Sequence, residues 1–218
     1  MGKNVLITGA TGMIGGLVLE HCLQSREVAQ VTSLVRRATG TRHEKLNEVI
    51  IDDFLSLDEN APYLESVDVV YYCLGVYTGA VDRELFRMIT VDYPDALAKA
   101  LYRKSLDLTF CLLSGAGADR NEKSRMMFAM DKGIIENKLS KMGFKSFHAF
   151  RPGYIYPVTP RKEPNPGYRI WRALYPAIKL FGDNTSIKST ELASAMFRVG
   201  INGCDMEILE NRDIKAMA

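Results

Sequence analysis

The sequence has no large excess of charge of either sign and no long apolar run. Its 218 residues include 28 Lys and Arg against 26 Asp and Glu, a formal net charge of +2. Because nucleic-acid and anionic-membrane binding rely on a positive excess, the charge balance supports neither role. Each apolar run is too short to span a bilayer, and the first residues lack the long apolar stretch of a secretory signal. We therefore expect no nucleic-acid and no membrane partner.

Cysteine and histidine are scarce and scattered along the chain. None of the four cysteines forms a CxxC pair, and at least three lie in apolar segments, where a free thiol behaves as a small hydrophobe: Cys22, Cys73, Cys111 and Cys204. This usage favours a reducing compartment, so we expect a cytoplasmic location. The absence of HExxH and of a Cys/His cluster predicts no metal site, and the absence of GxSxG argues against a serine hydrolase.

Short apolar runs alternate with amphipathic stretches. The runs are unbroken, as in strands covered on both faces: Asn4–Thr8, Val31–Val35, Glu48–Ile51, Asp68–Cys73, Thr109–Leu113 and Ser146–Phe150. Helices are predicted between and after them, at Met13–Gln24, Asp92–Tyr102, Arg125–Lys141, Tyr168–Phe181 and Thr190–Gly200. This alternation predicts an α/β fold with a doubly wound, Rossmann-like parallel sheet. We expect one domain over residues 1–218, large enough for a substantial core.

The segment from Pro152 to Pro166 differs from the rest of the chain. It holds five prolines and has little periodicity, which predicts a loop rather than a core element. Ligands of open α/β sheets bind beyond the carboxyl ends of the strands. We therefore interpret residues 152–190 as a small substrate-side region of loop and helix, with a plain surface linker as the alternative.

A glycine-rich segment directly follows the first predicted strand and opens the first helix. It has the spacing GxxGxxG and comprises Gly9, Thr11, Gly12, Met13, Ile14 and Gly15. The glycines permit a tight turn, close approach of the backbone to a pyrophosphate, and close packing of helix on strand. The N–H groups and the positive end of the helix would then face the phosphates. This context predicts a nucleotide site.

The end of the second strand predicts which nucleotide is bound. An NAD site usually has a carboxylate there for the ribose 2′-hydroxyl, but none occurs between Glu27 and Glu44. Arg36 and Arg37 stand in that place instead, and arginines can pair with a 2′-phosphate. The pattern predicts NADP, with NADPH preferred over NADH. Two solvated surface arginines are the alternative.

Two further segments follow strands at the edge where a cofactor would lie. Asp52 and Asp53 follow the third strand, where a carboxylate could bond the adenine amino group. Leu74 and Gly75 follow the fourth, where the glycine would let the backbone pass over the adenine ribose. We expect all four residues to contact the cofactor, although either segment could be only a loop.

Several motifs taken in order resemble the atypical short-chain dehydrogenase/reductase family, and within it the Tat-interacting-protein-like oxidoreductases. They cover nearly the whole chain: TGATGMIG (8–15), LVRR (34–37), DDF (52–54), YYCLG (71–75), VDY (91–93), LLSGAGAD (112–119), DKGIIENKL (131–139), FRPGYIYP (150–157) and ELASAM to EILEN (191–211). The resemblance implies a Rossmann-like fold with NADP across it. It also implies that Lys132 holds the nicotinamide ribose, and that Pro152 and Gly153 lie beside the nicotinamide.

The resemblance also implies chemistry that this chain modifies. In the family a Tyr four residues before the Lys exchanges a proton as hydride moves, and a strand-end Ser assists. Here Lys132 and Ser114 are present, but Phe128 stands at the Tyr position and Gly115 where many relatives carry a second Ser. Phenylalanine has no proton to exchange, so the usual chemistry is altered.

Other tyrosines are candidate substitutes for the missing phenol. Tyr154 and Tyr77 could reach the nicotinamide from another direction, although both could equally be ordinary loop tyrosines. The pair Tyr175 and Lys179 has the right spacing but follows the sixth strand, outside the expected catalytic helix. We assign catalytic roles to Ser114, Lys132 and Tyr154.

Two functions follow as hypotheses. One is an NADP-dependent oxidoreductase acting on a small carbonyl substrate, and the other is a non-catalytic NADP-binding sensor or regulator that acts through a partner. An isomerase or epimerase that uses bound NADP transiently ranks below both. A homodimer through Asp92–Tyr102 and Arg125–Lys141 is also possible, since relatives associate in this way, but packing on the sheet explains the same apolar stripes.

Overall fold

A seven-stranded parallel sheet forms the centre of the protein in this computed structural model, which describes residues 2–77, 79–159 and 185–218. In chain order its strands are β1 (Lys3–Thr8), β2 (Val28–Val35), β3 (Leu46–Ile50), β4 (Val69–Tyr72), β5 (Thr109–Leu113), β6 (Ser146–Arg151) and, near the end of the chain, β9 (Ile208–Glu210). They lie in the order β3-β2-β1-β4-β5-β6-β9. Two more strands, β7 (Tyr154–Tyr156) and β8 (Ser186–Lys188), pair in parallel beside the sheet.

Helices cover both faces of this sheet. They are α1 (Met13–Gln24), α2 (Arg83–Arg87), α3 (Tyr93–Tyr102), α4 (Met127–Ser140), α5 (Ser189–Asn202) and α6 (Asn211–Ala216), with short 3-10 turns at Phe54–Ser56 and Pro62–Leu64. Side chains of α1 and α5 join one buried cluster, and those of α3 and α4 join the other. This is the doubly wound arrangement that the sequence predicts, and the prediction is confirmed.

The strands are apolar on both faces because each face is covered. Leu6 and Ile7 are adjacent in β1, point to opposite faces and are both 0% exposed. Tyr71 and Tyr72 do the same in β4, and each belongs to a different buried cluster. The unbroken apolar runs are thus explained by burial on two sides.

One interpretation of the Pro152–Pro166 segment was wrong. Tyr154–Tyr156 is not loop but strand β7, and the N–H of Tyr154 donates to the carbonyl oxygen of Thr185 at 2.9 Å. The strand is short and half-buried, so it leaves no periodic signal. The predicted helix Tyr168–Phe181 and the pair Tyr175 and Lys179 lie outside the described residues, and the single-domain boundary stays a prediction.

Several helix and strand boundaries in the structure also differ from those predicted from the sequence. The third strand begins at Leu46 rather than Glu48, and β2 extends back to Val28. The predicted helix Asp92–Tyr102 is the last part of a longer helical segment in which α2 passes through a π-helical turn, Met88–Asp92, into α3. Pro94 has no N–H for the carbonyl of Thr90 four residues earlier, and the π turn occurs at this point.

Candidate functional site

The site begins at the switch point of the sheet, where the carboxyl ends of β1 and β4 lie side by side. Gly9 leaves β1 with a φ of +73°, and a Cβ there would lie 2.6 Å from the carbonyl of Cys73. At Gly15 a Cβ would lie 2.2 Å from the carbonyl oxygen of Gly9. Only glycine fits either position, so the loop turns tightly and α1 packs closely against it.

The start of α1 is open to an anion. Gly12 caps the helix without a side-chain hydrogen bond, and the first turn carries no acidic residue. Thr11 and Gly12 are exposed, while the hydroxyl of Thr8 just before the loop is buried without a hydrogen-bond partner. Helix N–H groups that no side chain caps fit the pyrophosphate of a dinucleotide, so these residues suit the predicted cofactor.

A cavity of about 560 Å³ extends from this loop across the strand ends. It brings together many of the predicted site residues: Gly12, Met13 and Ile14 at one end, Leu74 and Gly75 beside β4, and Ser114, Lys132, Pro152, Gly153, Tyr154 and Tyr77 around the rest of the wall. A cavity of this size, lined mainly by apolar groups with a few polar ones, is typical of a cofactor and substrate site.

Seven predicted residues lie outside that wall, namely Gly9, Thr11 and Gly15 of the glycine loop and the four charged residues Arg36, Arg37, Asp52 and Asp53. Arg36 and Arg37 are exposed directly after β2, and neither forms an ion pair with any residue that the structure describes. Asp52 is exposed as well. The carboxylate of Asp53 is already engaged, because it accepts the N–H of Leu55 at 2.9 Å and caps the following 3-10 turn.

Lys132 and Phe128 stand together at the far end of the cavity. The Nζ atom of Lys132 lies 5.7 Å from the centroid of the Phe128 ring, within cation–π range. Both side chains pack toward Gly115, where a Cβ would lie 3.2 Å from Phe128 Cζ and 3.3 Å from Lys132 Cε. Burial lowers the pKa of Lys132 to about 8, although the negative charge of Glu136 opposes the shift.

Glu136, one turn after Lys132, is a buried hub that sequence reasoning missed. It is fully buried and accepts the Ser114 hydroxyl at 2.5 Å, while Arg120 Nε donates to Oε2 at 3.0 Å and Arg151 Nη2 to the same oxygen at 2.5 Å. Burial raises the pKa of Glu136, but these hydrogen bonds outweigh burial and hold it below its usual value. The predicted catalytic Ser114 therefore directs its proton into this carboxylate.

A second buried carboxylate anchors the opposite wall. Asp131 is completely buried and binds both Arg83 of α2 and Arg87, whose Nη1 lies 3.0 Å from Oδ1. These bonds join α2 and its π-helical extension to α4. Phe86 and Thr90, on the joined segment, line the cavity. Asp131 thus holds one side of the cavity in place.

The segment predicted beside the nicotinamide is fixed by a residue near the end of the chain. The N–H of Gly153 donates to Asn211 Oδ1 at 2.8 Å, and Asn211 Nδ2 donates to the carbonyl oxygen of Ser186 at 2.9 Å. Asn211 is buried at the start of α6. The resemblance included this asparagine in a motif without assigning it a role.

Neither a candidate metal-binding group nor a membrane-crossing helix is found among the described residues. No group of three or more His, Cys, Asp or Glu within them is placed to hold a metal ion. In the same part of the chain, no helix has the length and apolar character needed to cross a bilayer.

Comparison with known proteins assigns the family. Residues 5–128, more than half of the chain, match the NAD dependent epimerase/dehydratase family. The chain belongs to that family. The protein HTATIP2 of Rattus norvegicus is 30% identical over 220 residues, covering 97% of this chain and 88% of its own length. The resemblance to the Tat-interacting-protein-like oxidoreductases is confirmed.

Further relatives of this epimerase/dehydratase family member agree on the fold. Protein fmp52, mitochondrial, of Aspergillus niger is 30% identical over 175 residues, 78% of this chain and 73% of its own. The UDP-glucuronic acid 4-epimerase of Bacillus cereus, solved in complex with NAD, superposes with a TM-score of 0.68 at 17% identity, covering 95% of this chain and 76% of its own. At that identity the second likeness supports the Rossmann-like fold alone.

This member of the NAD dependent epimerase/dehydratase family differs at position 128 from the Tyr and Lys pair that the resemblance implies. The lysine is kept as Lys132, but the ring one turn before it belongs to Phe128 and has no hydroxyl. Glu136 lies four residues beyond Lys132. It is the one acidic residue between Ile135 and Leu139, which are both buried, and this apolar setting was the sequence signal available for it.

Proposed function

We propose that this protein binds NADP, with NADPH preferred over NADH, and acts as an oxidoreductase on a small carbonyl substrate. The observation that carries the proposal is the continuous cavity from the glycine loop to Lys132, with two arginines exposed after β2 that form no ion pair with a described residue. In an NAD dependent family, such a pair suits a 2′-phosphate because it supplies charge-assisted hydrogen bonds.

Each part of the site has a task in this proposal. The N-terminus of α1 holds the pyrophosphate, Leu74 and Gly75 flank the adenine ribose, and Lys132 holds the nicotinamide ribose. When bound, the cofactor supplies a hydride to the substrate carbon. The substrate lies against Ser114 and the segment at Gly153, and Tyr154, Tyr77 or a water supplies the proton.

Calorimetric titration tests the cofactor half of this proposal. We expect NADPH to bind with a lower Kd than NADH, and purified protein to oxidise NADPH in the presence of some members of a panel of small aldehydes and ketones. Absence of binding by either nucleotide would remove the proposal entirely. Binding without turnover on the whole panel would leave only the second function.

The second function is that of a non-catalytic NADP-binding sensor or regulator acting through a partner. Two observations favour it, namely that Phe128 lacks the proton of the usual tyrosine and that Ser114 donates its own proton to Glu136. Binding can survive such changes because pyrophosphate, ribose and adenine are held by other residues.

The variant Phe128→Tyr separates the two functions. If only water supplies the proton in the wild type, a phenol beside Lys132 should raise the rate of NADPH-dependent carbonyl reduction by about 10²-fold or more, since a positioned general acid contributes ~10²–10⁴-fold. The rate is measured by the loss of NADPH absorbance. Phe128→Leu is the control, because it removes the ring and adds no acid, so it should give no gain.

The results of that comparison are easily distinguished. Turnover in the wild type that increases in Phe128→Tyr supports the oxidoreductase. A silent wild type with an active Phe128→Tyr variant supports the sensor, because the scaffold then lacks only its acid. If neither protein turns over any carbonyl, the oxidoreductase proposal fails.

Location and assembly belong to the same proposal. We propose a cytoplasmic protein, a homodimer in solution, with a small-molecule substrate and no nucleic-acid or membrane partner. A fungal relative is named as mitochondrial, so cell fractionation is the direct test of location. Light scattering of the purified protein tests the dimer.

A further inference from the structure

We infer that Lys132 itself carries the proton of the reaction, in place of the phenol that Phe128 lacks. The inference rests on the proposed oxidoreductase function and assigns its acid. It goes beyond holding the ribose, which is the role that the resemblance implies for this lysine.

The first argument is position. In a tyrosine the hydroxyl is attached at Cζ, and Phe128 Cζ lies 3.2 Å from the place of a Cβ on Gly115. Lys132 Cε lies 3.3 Å from that same place. The tip of the ring and the end of the lysine chain therefore border the same part of the cavity wall, at Gly115.

The second argument is that the ammonium has no acceptor among the residues that the structure describes. Both neighbouring carboxylates on α4 are occupied, Asp131 by two arginines and Glu136 by two arginines and Ser114. Among the residues that the structure describes, no hydrogen bond or ion pair reaches Lys132 Nζ, whose one recorded partner is the Phe128 ring. A partly buried ammonium with three N–H groups and no acceptor is available to a ligand in the cavity.

The third argument is that other proton sources on the wall are weaker. Ser114 directs its proton into Glu136. Burial raises the pKa of both Tyr72 and Cys73, so each holds its proton more tightly. Tyr77 lies in the loop after β4 and Tyr154 lies in β7. Both line the cavity, but neither belongs to α4, which carries Lys132. They are the competing donors in the experiment below.

The charges around Lys132 make its proton mobile near neutral pH. Burial lowers its pKa to about 8, and Glu136 opposes this shift because its negative charge favours the ammonium. The positive charges held on this part of α4 belong to Arg83, Arg87, Arg120 and Arg151, each bound to one of the two buried carboxylates. An acid with a pKa near the working pH is well suited to proton transfer.

The step balances without a further reagent. As the carbonyl carbon gains a hydride, the electron pair of its double bond moves to oxygen, one Nζ–H bond of Lys132 breaks, and that proton forms the new O–H bond. Lys132 is left as a neutral amine and takes a proton from water. In the reverse direction the neutral amine removes the proton of an alcohol.

Competitive labelling of the cofactor-free protein tests the inference without any substrate. Trace acetic anhydride is applied from pH 6 to pH 11, and acetylation of each lysine is followed by peptide mass spectrometry. We expect the reactivity of Lys132 to rise with a midpoint near pH 8. A midpoint near the ordinary lysine value of about 10.4 would overturn the inference and leave the cofactor proposal intact.

The variant Lys132→Arg separates proton transfer from ribose binding. Arginine keeps the charge but does not release a proton in this range, so kcat for NADPH-dependent reduction of para-nitrobenzaldehyde should fall about 10²-fold or more. The fall of kcat above about pH 8 in the wild type should be absent from the variant. The Kd for NADPH, measured by its fluorescence, should change much less than kcat.

Three outcomes would contradict the inference. A higher Kd for NADPH with unchanged kcat would mean that Lys132 only binds the ribose. A larger loss of kcat in Tyr77→Phe or Tyr154→Phe than in Lys132→Arg would assign the proton to that tyrosine. Turnover by Phe128→Tyr alone would show that Lys132 does not replace the phenol. Failure of every protein to bind NADPH would instead remove the proposed function.

Discussion

Replacing Glu136 with glutamine is expected to lower the free energy of unfolding by about 3–5 kcal/mol, because removing one partner from a buried ionic cluster leaves the other charges uncompensated. The carboxylate is fully buried and accepts hydrogen bonds from Arg120, Arg151 and Ser114. It joins the ends of β5 and β6 to α4. Urea unfolding followed by circular dichroism measures the change.

The matched control is Glu59→Gln, because Glu59 pairs with Arg103 where both side chains are at least half exposed. An exposed pair contributes about 0–1 kcal/mol, so this variant should unfold almost as the wild type does. Similar losses of unfolding free energy in the two variants would mean that the buried cluster stabilises the protein no more than an exposed ion pair does. A loss below about 1 kcal/mol at Glu136 would contradict the prediction.

The Glu136 contribution should also depend on pH in a defined direction. Burial raises the pKa of Glu136, but hydrogen bonds from Arg151, Ser114 and Arg120 outweigh it and leave the pKa below 4.5. A carboxyl whose pKa is depressed by folding stabilises the protein above the unfolded-state pKa and loses this effect as pH falls through the folded-state value. The difference between wild type and Glu136→Gln should therefore be constant near neutral pH and shrink below pH 4.5.

The main sheet was predictable because burial on two faces leaves a direct pattern in the sequence. β4 and β5 are almost wholly apolar and β1 has an apolar centre, and all three were predicted close to their observed bounds. β7 and β9 each contain three residues and are only partly buried, so they have no such pattern. Their pairing depends on contacts with distant parts of the chain, which spacing does not reveal.

The site was predictable where its chemistry is local. The glycine loop needs residues a few positions apart, and Lys132 follows Phe128 by one helical turn. The buried hub is different, because Arg120 and Arg151 approach Glu136 from 16 and 15 residues away and on different elements. A charged residue on a helix gives no sign by itself of whether it faces solvent or a buried partner.

Asn211 is another residue whose role could not be predicted from the sequence, because its partners are even further away along the chain. Its side chain holds Gly153, 58 residues earlier, and Ser186, 25 residues earlier. Only the fold brings these three positions together. The sequence can therefore nominate Gly153 for the nicotinamide site but not the residue that fixes it.

Replacing both Arg36 and Arg37 with alanine is expected to raise the Kd for NADPH by about 10²–10⁴-fold. A hydrogen bond to a charged group is worth ~1.5–3 kcal/mol, and two such bonds to a 2′-phosphate would be lost. Both side chains are exposed after β2 and have no ion-pair partner among the described residues, so their loss should not weaken the fold. NADH has no 2′-phosphate, and its Kd should stay within about threefold. Calorimetric titration measures all four values.

Arg26→Ala is the control for charge, because Arg26 is exposed in the turn before β2 and its replacement removes one positive charge at the opposite end of that strand. It should leave the Kd of both nucleotides unchanged if the arginines act by contact rather than through net charge. Added salt should weaken NADPH binding to the wild type and to Arg26→Ala, and should affect the double variant less. An equal loss of NADH and NADPH binding in the double variant would mean that these arginines shape the loop, and NADP preference would then need another origin.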